Sequence, residues 1–226
     1  MDKPFAWSWS ALDSFETCPR RHQLVKVVKA FPEKQNPQML AGQQFHKALE
    51  LRVERGKSLP PDMKQYEPII QRLEKSAEGG TMVAERKIGL TRDLQECEYF
   101  DKAVWLRTVV DCQIDSGCGK KAMVLDWKTG KVKEGYDQLA LTAAVKFAIS
   151  PTLERASTAY VWFQANSITK ENFVRDDVAG IWRNILPRVA KLENALATGK
   201  FPAKQSGLCR AHCPVTTCEH NGNFQG

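Results

Sequence analysis

No stretch of this chain approaches the roughly 18 consecutive apolar residues that a bilayer-spanning helix needs. The N-terminus, MDKPFAWSWS, lacks the basic segment and apolar run of a secretory signal. No membrane partner is therefore expected, and the cytoplasm, or the host cytoplasm for a phage-encoded chain, is the expected location. Internal repeats and low-complexity tracts are also missing, as are the motifs of a helicase. Seven cysteines is an odd number, which excludes a fully paired disulfide framework within one chain, and their clustering suggests ligands or reduced thiols.

Against these absences stand 226 residues, of which 42% are hydrophobic, enough for one globular domain with a substantial core. The net charge of +7 favours a polyanionic partner. Ser10 and Asp13 have the spacing of a capping box for a first helix, which Pro19 should break or restart. Arg20-Arg21-His22 follows, either a solvated face or a cluster that holds phosphate. After a loop over 29–37, apolar residues at Leu40, Phe45, Ala48, Leu49 and Val53 predict a helix over 39–55. Residues 62–78 read as a more polar helix ended by Gly79-Gly80.

Strand-like runs cover 82–90, 99–114 and 122–128, with 91–98 as a polar loop. The turn Asp115-Ser116-Gly117-Cys118-Gly119 is short enough for direct antiparallel pairing of the second and third runs. A helix over 136–149 comes next, then a hairpin of 158–164 and 169–174 turning at Ala165-Asn166-Ser167. The last expected element is a long helix from Asp177 to Thr198, with Pro187 inside it and Gly199 at its end.

The stretch AMVLDWKTGK, residues 122–131, carries the chemistry. Four apolar residues deliver Asp126, Trp127 and Lys128 and stop at Thr129-Gly130, so a buried strand ends in a turn. Asp126 and Lys128 are two apart and point to the same side of a strand. Alone, Asp-x-Lys before a polar-Gly turn is more often structural than functional. Here it is joined by Asp111 in the preceding strand, Glu85 in the strand before that, His46 beside the apolar stripe of the 39–55 helix, and Gln138 in the helix after the turn.

In that order, His46, Glu85, Asp111, Asp126-Trp127-Lys128-Thr129-Gly130 and Gln138-Leu139 resemble the PD-(D/E)XK nuclease superfamily. The pattern is similar to its RecB-type branch and to the iron-sulfur nucleases of CRISPR adaptation and of the AddB helicase-nuclease subunit. The resemblance runs from about Ser8 to Cys218. It implies an α/β, restriction-endonuclease-like core over about 39–200, with a central mixed β-sheet flanked by helices. It also implies a metal-dependent DNA exonuclease acting on ends or single strands, and partners of the recombination or CRISPR type. In this pattern Asp111, Asp126 and Lys128 are catalytic, with Glu85 and Gln138 supporting them, and Gly42 and His46 match the G-x-x-x-H of the iron-sulfur branch. Where the family often has tyrosine in a Q-x-x-x-Y motif, this chain has Thr142.

The chemistry of these residue types fits that implication. A phosphodiester repels hydroxide, so a catalyst must neutralise charge and orient a water. Asp111 and Asp126 are hard oxygen ligands for Mg2+ or Mn2+, His46 adds a nitrogen that Mn2+ accepts, and the Trp127 carbonyl can complete the shell. Lys128 would sit beside the attacking water or the phosphate. Two other readings share the motifs: an inactive nuclease-fold module that binds DNA or a partner, and a nuclease subunit that works within a helicase or recombination complex. The pattern is neutral on oligomeric state.

Near the C-terminus Cys209, Cys213 and Cys218 have the spacing C-x3-C-x4-C, and three thiolates so placed can fold round one soft cation or cluster. In the resembled branch a fourth cysteine near the N-terminus completes a 4Fe-4S cluster, and Cys18, in the context E-T-C-P-R-R, matches it. Zinc, with His212 or His220 as a substitute ligand, and reduced, unligated thiols are the alternatives. Either metal would staple the C-terminal cysteines to the first helix. Arg20 and Arg21 beside Cys18 are candidate DNA contacts, and Cys97, Cys112 and Cys118 read as ordinary thiols.

Overall fold

The computed structural model describes residues 5–32, 36–77, 79–132 and 134–224. The chain forms two compact units, one of Met1–Ala6 with Pro37–Ile185 and the other of Trp7–Asn36 with Leu186–Gly226. The expected core, about residues 39–200, overlaps the first unit as far as Ile185.

The first unit is a six-stranded mixed sheet with helices against it. Its elements are α3 (Pro37–Arg55), α4 (Glu67–Ser76), β1 (Thr81–Leu90), β2 (Glu96–Cys97), β3 (Leu106–Asp115), β4 (Lys121–Lys128), α5 (Asp137–Ile149), β5 (Arg155–Trp162), β6 (Ser167–Val174) and the first part of α6 (Asp177–Thr198). The strand order is β2-β1-β3-β4-β5-β6. β4 and β5 run parallel, joined by the α5 crossover, and every other pair is antiparallel. This is the restriction-endonuclease-like α/β arrangement that the family resemblance implied.

Apolar alternation explains how the sheet is covered. Cys112, Ile114, Leu125, Trp127 and Val161 point to one face, where they meet Leu49 of α3 and Ile70 of α4. Ala122 and Ala156 point to the other, against Ala143 and Phe147 of α5. Arg52 of α3 ties the two covering helices together, with ion pairs to Glu67 (2.5 Å) and Glu74 (2.7 Å). Leu49 lies one turn from His46, so the packing of α3 also sets where that imidazole stands.

Three expectations are corrected here. Residues 61–66 form a 3-10 turn, Pro61–Tyr66, and the helix begins only at Glu67. Pro60 and Pro61 lack an N–H, and the Met63 N–H closes back on the Pro60 carbonyl (2.9 Å) in the tighter i→i+3 pattern. The expected helix end at Glu78 lies outside the described residues. The strand expected from Tyr99 begins at Leu106, because the Asp101 carboxylate accepts the Ala103 N–H (2.7 Å) and turns the chain there. The loop expected over 91–98 contains the short edge strand β2.

The second unit holds α1 (Trp9–Thr17), α2 (Pro19–His22), a π-helical turn (Gln23–Val27), the remainder of α6 and the C-terminal tail. Ser8, not Ser10, caps α1: its backbone is extended and its hydroxyl accepts the Ala11 N–H (3.3 Å), while Ser10 bonds the Ser8 hydroxyl. Pro19 restarts the chain as α2, as expected. Arg188 grips both oxygens of Glu16 at 2.7 Å, and Phe15 meets Phe201 edge-on at 6.3 Å.

Two close approaches of backbone make glycine obligatory where β1 begins beside the end of β3. A Cβ on Gly80 would run into the Asp115 carbonyl, and one on Gly117 into the Gly79 carbonyl. Gly180, in α6, faces open space. Urea denaturation should therefore show Leu49→Ala losing about 2–5 kcal/mol and Gly80→Ala about 1–3 kcal/mol. Gly180→Ala should gain up to about 1 kcal/mol. Equal effects at the two glycines would contradict the packing described.

Candidate active site

β3 and β4 pair from Cys112↔Leu125 to Asp115↔Ala122 and then part. In the fork, the Asp111 side chain takes over from the backbone ladder: its Oδ2 accepts the Trp127 N–H at 2.7 Å. The Trp127 indole is buried on the core side against Phe163, which anchors β4 at this point. The other Asp111 oxygen, Oδ1, stands 3.3 Å from His46 Nδ1. Glu85 lies opposite Asp111 between the pairs Ala84↔Cys112 and Arg86↔Val110, with a left-handed backbone (φ 50°) that few non-glycine residues adopt. One ligand atom from each of His46, Glu85 and Asp111 lies within 4.8 Å of the others.

Asp126 and Lys128 stand beside this group on β4. Lys128 Nζ contacts both Asp126 oxygens, at 2.8 and 3.0 Å. Gln138 Nε2 of α5 donates to Asp126 Oδ2 at 2.7 Å, and Tyr160 Oη of β5 donates to Gln138 Oε1 at 3.3 Å. The Lys128 ammonium also lies 4.9 Å from the centre of the Tyr160 ring.

Charge is out of balance in this pocket. Burial pushes the Asp126 carboxyl up to about 6, with the neighbouring Asp111 carboxylate adding to the rise and Lys128 opposing it. Glu85 is raised too, by burial and then by Asp111. The His46 imidazole loses basicity to burial, but its hydrogen bond to Asp111 and the three carboxylates around it carry its pKa above the usual value. Three carboxylates crowded against one lysine make a place where a divalent cation is favoured over protons. Two carboxylates and an imidazole suit Mn2+ and also Mg2+.

A profile of the PD-(D/E)XK nuclease superfamily matches residues 6–218. The chain belongs to that superfamily. Among solved structures, a candidate exonuclease from Eubacterium rectale is similar at 14% identity and a TM-score of 0.52, over 92% of this chain and 86% of that one. The crystal structure of SSO0001 is similar at 14% identity and a TM-score of 0.43, over 98% of this chain and 89% of that one. No curated protein matches the sequence.

PD-(D/E)XK nucleases use divalent metals, and this member gathers all the residues that its motifs singled out in the first unit. The grouping differs in one respect from the expected ligand set of His46, Asp111, Asp126 and Trp127: Glu85 is the third member of the close cluster, while Asp126 is held by Lys128 and Gln138. Trp127 gives its N–H to Asp111. Thr142, in the place of the family tyrosine, bonds its own helix at the Gln138 carbonyl (2.8 Å). Tyr160, which sequence reasoning passed over, reaches Gln138 from β5 instead. It is the register partner of Asp126, a pairing legible only once β5 is known to run parallel beside β4.

In the second unit, Cys18, Cys209, Cys213 and Cys218 line one cavity, together with Arg20, Arg21 and His220. Backbone N–H groups point at two of the sulfurs, Lys204 at Cys18 (3.4 Å) and Ser206 at Cys209 (3.3 Å). Arg20, a candidate phosphate contact, is paired with Glu219 at 2.6 Å. Cys97, Cys112 and Cys118 lie elsewhere, and burial pushes the Cys112 thiol up to about 12.

Isothermal titration with Mn2+ should give one site in the wild type, and Asp111→Asn or Glu85→Gln should weaken it about tenfold or more. Affinity should rise as pH is raised through neutrality, because His46, whose pKa lies above its usual value, must shed a proton to bind. Unchanged affinity in both variants would place the ion elsewhere.

Proposed function

We propose that the first unit hydrolyses phosphodiester bonds of DNA, as an exonuclease working on ends or single strands with Mg2+ or Mn2+. The observation that carries the reading is the His46–Glu85–Asp111 cluster standing directly beside Lys128–Asp126. His46, Glu85 and Asp111 would hold the ion, with Asp126 and the Trp127 carbonyl available to it once phosphate arrives. A bound divalent ion supplies Lewis acidity toward the phosphate and lowers the pKa of water.

The protein's own side chains do the positioning. Lys128 places a positive charge next to the site, where it orients the attacking water and offsets negative charge that grows on the phosphate oxygens. Asp126 holds that ammonium, Gln138 holds Asp126, and Tyr160 closes the chain of contacts. Each link fixes a rotamer that would otherwise cost entropy in the transition state.

A 4Fe-4S cluster held by Cys18, Cys209, Cys213 and Cys218 is the second part of the proposal, with a structural role in the second unit. Tetrahedral zinc with sulfur at about 2.3 Å would draw its ligands to within about 4 Å of one another. Among the described residues, no three of these sulfurs and imidazole nitrogens come within 4.8 Å of one another. The N–H groups directed at sulfur suit a cluster as well.

Lys128→Ala should lower cleavage of end-labelled linear DNA about 10²–10³-fold while leaving Mn2+ affinity in place. Asp126→Asn should be similarly inactive, with circular dichroism unchanged. Cleavage at the wild-type rate by either variant would rule the assignment out. Anaerobic purification should give a brown protein that loses its iron in Cys213→Ala, and stoichiometric zinc in its place would contradict the cluster.

A further inference from the structure

A cation and aromatic cluster lies along β1 and β3, further down the strands from the carboxylates. The alternation of β3 sets Arg107, Val109 and Asp111 on one side, and β1 sets Lys87 opposite Val109 and Gly89 opposite Arg107. The turn that replaces the expected strand start brings Tyr99 and Phe100 to this end. Their rings meet edge-on at 4.9 Å. Arg107 stands over both, at 5.9 and 5.7 Å, and Lys87 over Tyr99 at 6.0 Å.

Four features set this cluster apart from an ordinary surface. Phe100 is 77% exposed, and Val109, between the cluster and Asp111, is 40% exposed. Arg107 Nε donates to the Tyr99 carbonyl at 2.8 Å, which fixes the turn and leaves the terminal guanidinium nitrogens available. Among the described residues neither Lys87 nor Arg107 is in a salt bridge. Gly89 is held against the Cys97 and Glu98 carbonyls, where a Cβ would meet them at 2.9 Å, so the β1–β2 edge packs closely under the turn.

We propose that Lys87, Tyr99, Phe100 and Arg107 form a subsite for an extended single strand of nucleic acid, a few nucleotides from the bond to be cut. The proposal rests on the nuclease reading of the neighbouring carboxylates and adds the strandedness of what reaches them. Asp111 to Arg107 is four strand residues, roughly 13 Å, a span of a few nucleotides rather than one. Phe100 offers a ring face on which any base stacks, and the two cations offer phosphate contacts on either side of it. A duplex, whose bases are already stacked, has no use for that ring. Continuity with the carboxylate site and the Lys87 and Arg107 cations beside the rings favour a nucleic acid strand over an apolar protein segment.

The test is fluorescence anisotropy of a labelled oligothymidylate, run in EDTA so that neither cleavage nor metal enters the result. Phe100→Leu should weaken binding about tenfold, and Phe100→Trp should restore it. Blunt duplex affinity should change less than about twofold in either, as stacking is absent there. Lys87→Gln should lower the slope of log affinity against log salt by about 0.7. No binding by the wild type, or unchanged single-strand affinity in Phe100→Leu, overturns the subsite while leaving cleavage in Mn2+ as a separate question. A dimer of the wild type that Phe100→Leu dissociates, with oligonucleotide affinity unmoved, would assign the surface to a second copy of the chain and equally overturn it. Loss of cleavage activity in the wild type, with this binding pattern intact, would instead count against the carboxylate site alone.

Discussion

The hydrogen bond from the Trp127 N–H to the Asp111 carboxylate is the contact on which the arrangement turns. Where β3 and β4 separate, a backbone donor would be left buried without its ladder partner, at a cost of about 1–3 kcal/mol. A carboxylate satisfies it, and in doing so is locked with its second oxygen aimed at His46. The fork is thus both a stability device and a positioning device. Trp127, buried on the core side, keeps β4 from sliding, so Asp126 and Lys128 are presented on the opposite face by strand alternation alone.

The electrostatics follow from that geometry. A protein folds with three carboxylates in one small pocket only if something else in the fold over-determines their positions. Here β1, β3, β4, α3 and α5 each contribute one or two side chains, and Glu85 adopts a left-handed backbone to join them. Burial first, and then the neighbouring Asp111 carboxylate, raises the pKa values of Asp126 and Glu85. A divalent ion bound there would supply positive charge beyond that of Lys128 and His46.

Much of this was legible in the residues, for reasons that differ from element to element. Asp126-Trp127-Lys128 was readable because strand alternation and the turn at Thr129-Gly130 are local signals. The helices over 39–55, 136–149 and 177–198 were readable from apolar spacing, and β5–β6 from the turn at Asn166, whose backbone is left-handed in the structure. What was not legible depends on contacts between distant residues. Glu85 enters the ligand cluster through its backbone twist, which no residue type announces. Tyr160 reaches Gln138 only because β5 pairs in parallel with β4. The Ser8 cap and the turn at Asp101 were lost to near-equivalent choices one or two residues away, since Ser10 and the apolar run after Tyr99 carry similar local preferences.

The central claim is that one divalent ion is gripped by His46, Glu85 and Asp111. Anomalous diffraction at the manganese edge, from crystals soaked in Mn2+, tests it most directly. The expected result is a single strong peak within coordination distance of His46 Nδ1 and of a carboxylate oxygen from each of Glu85 and Asp111. A peak confined to the cysteine cavity, with none at this cluster, would contradict it.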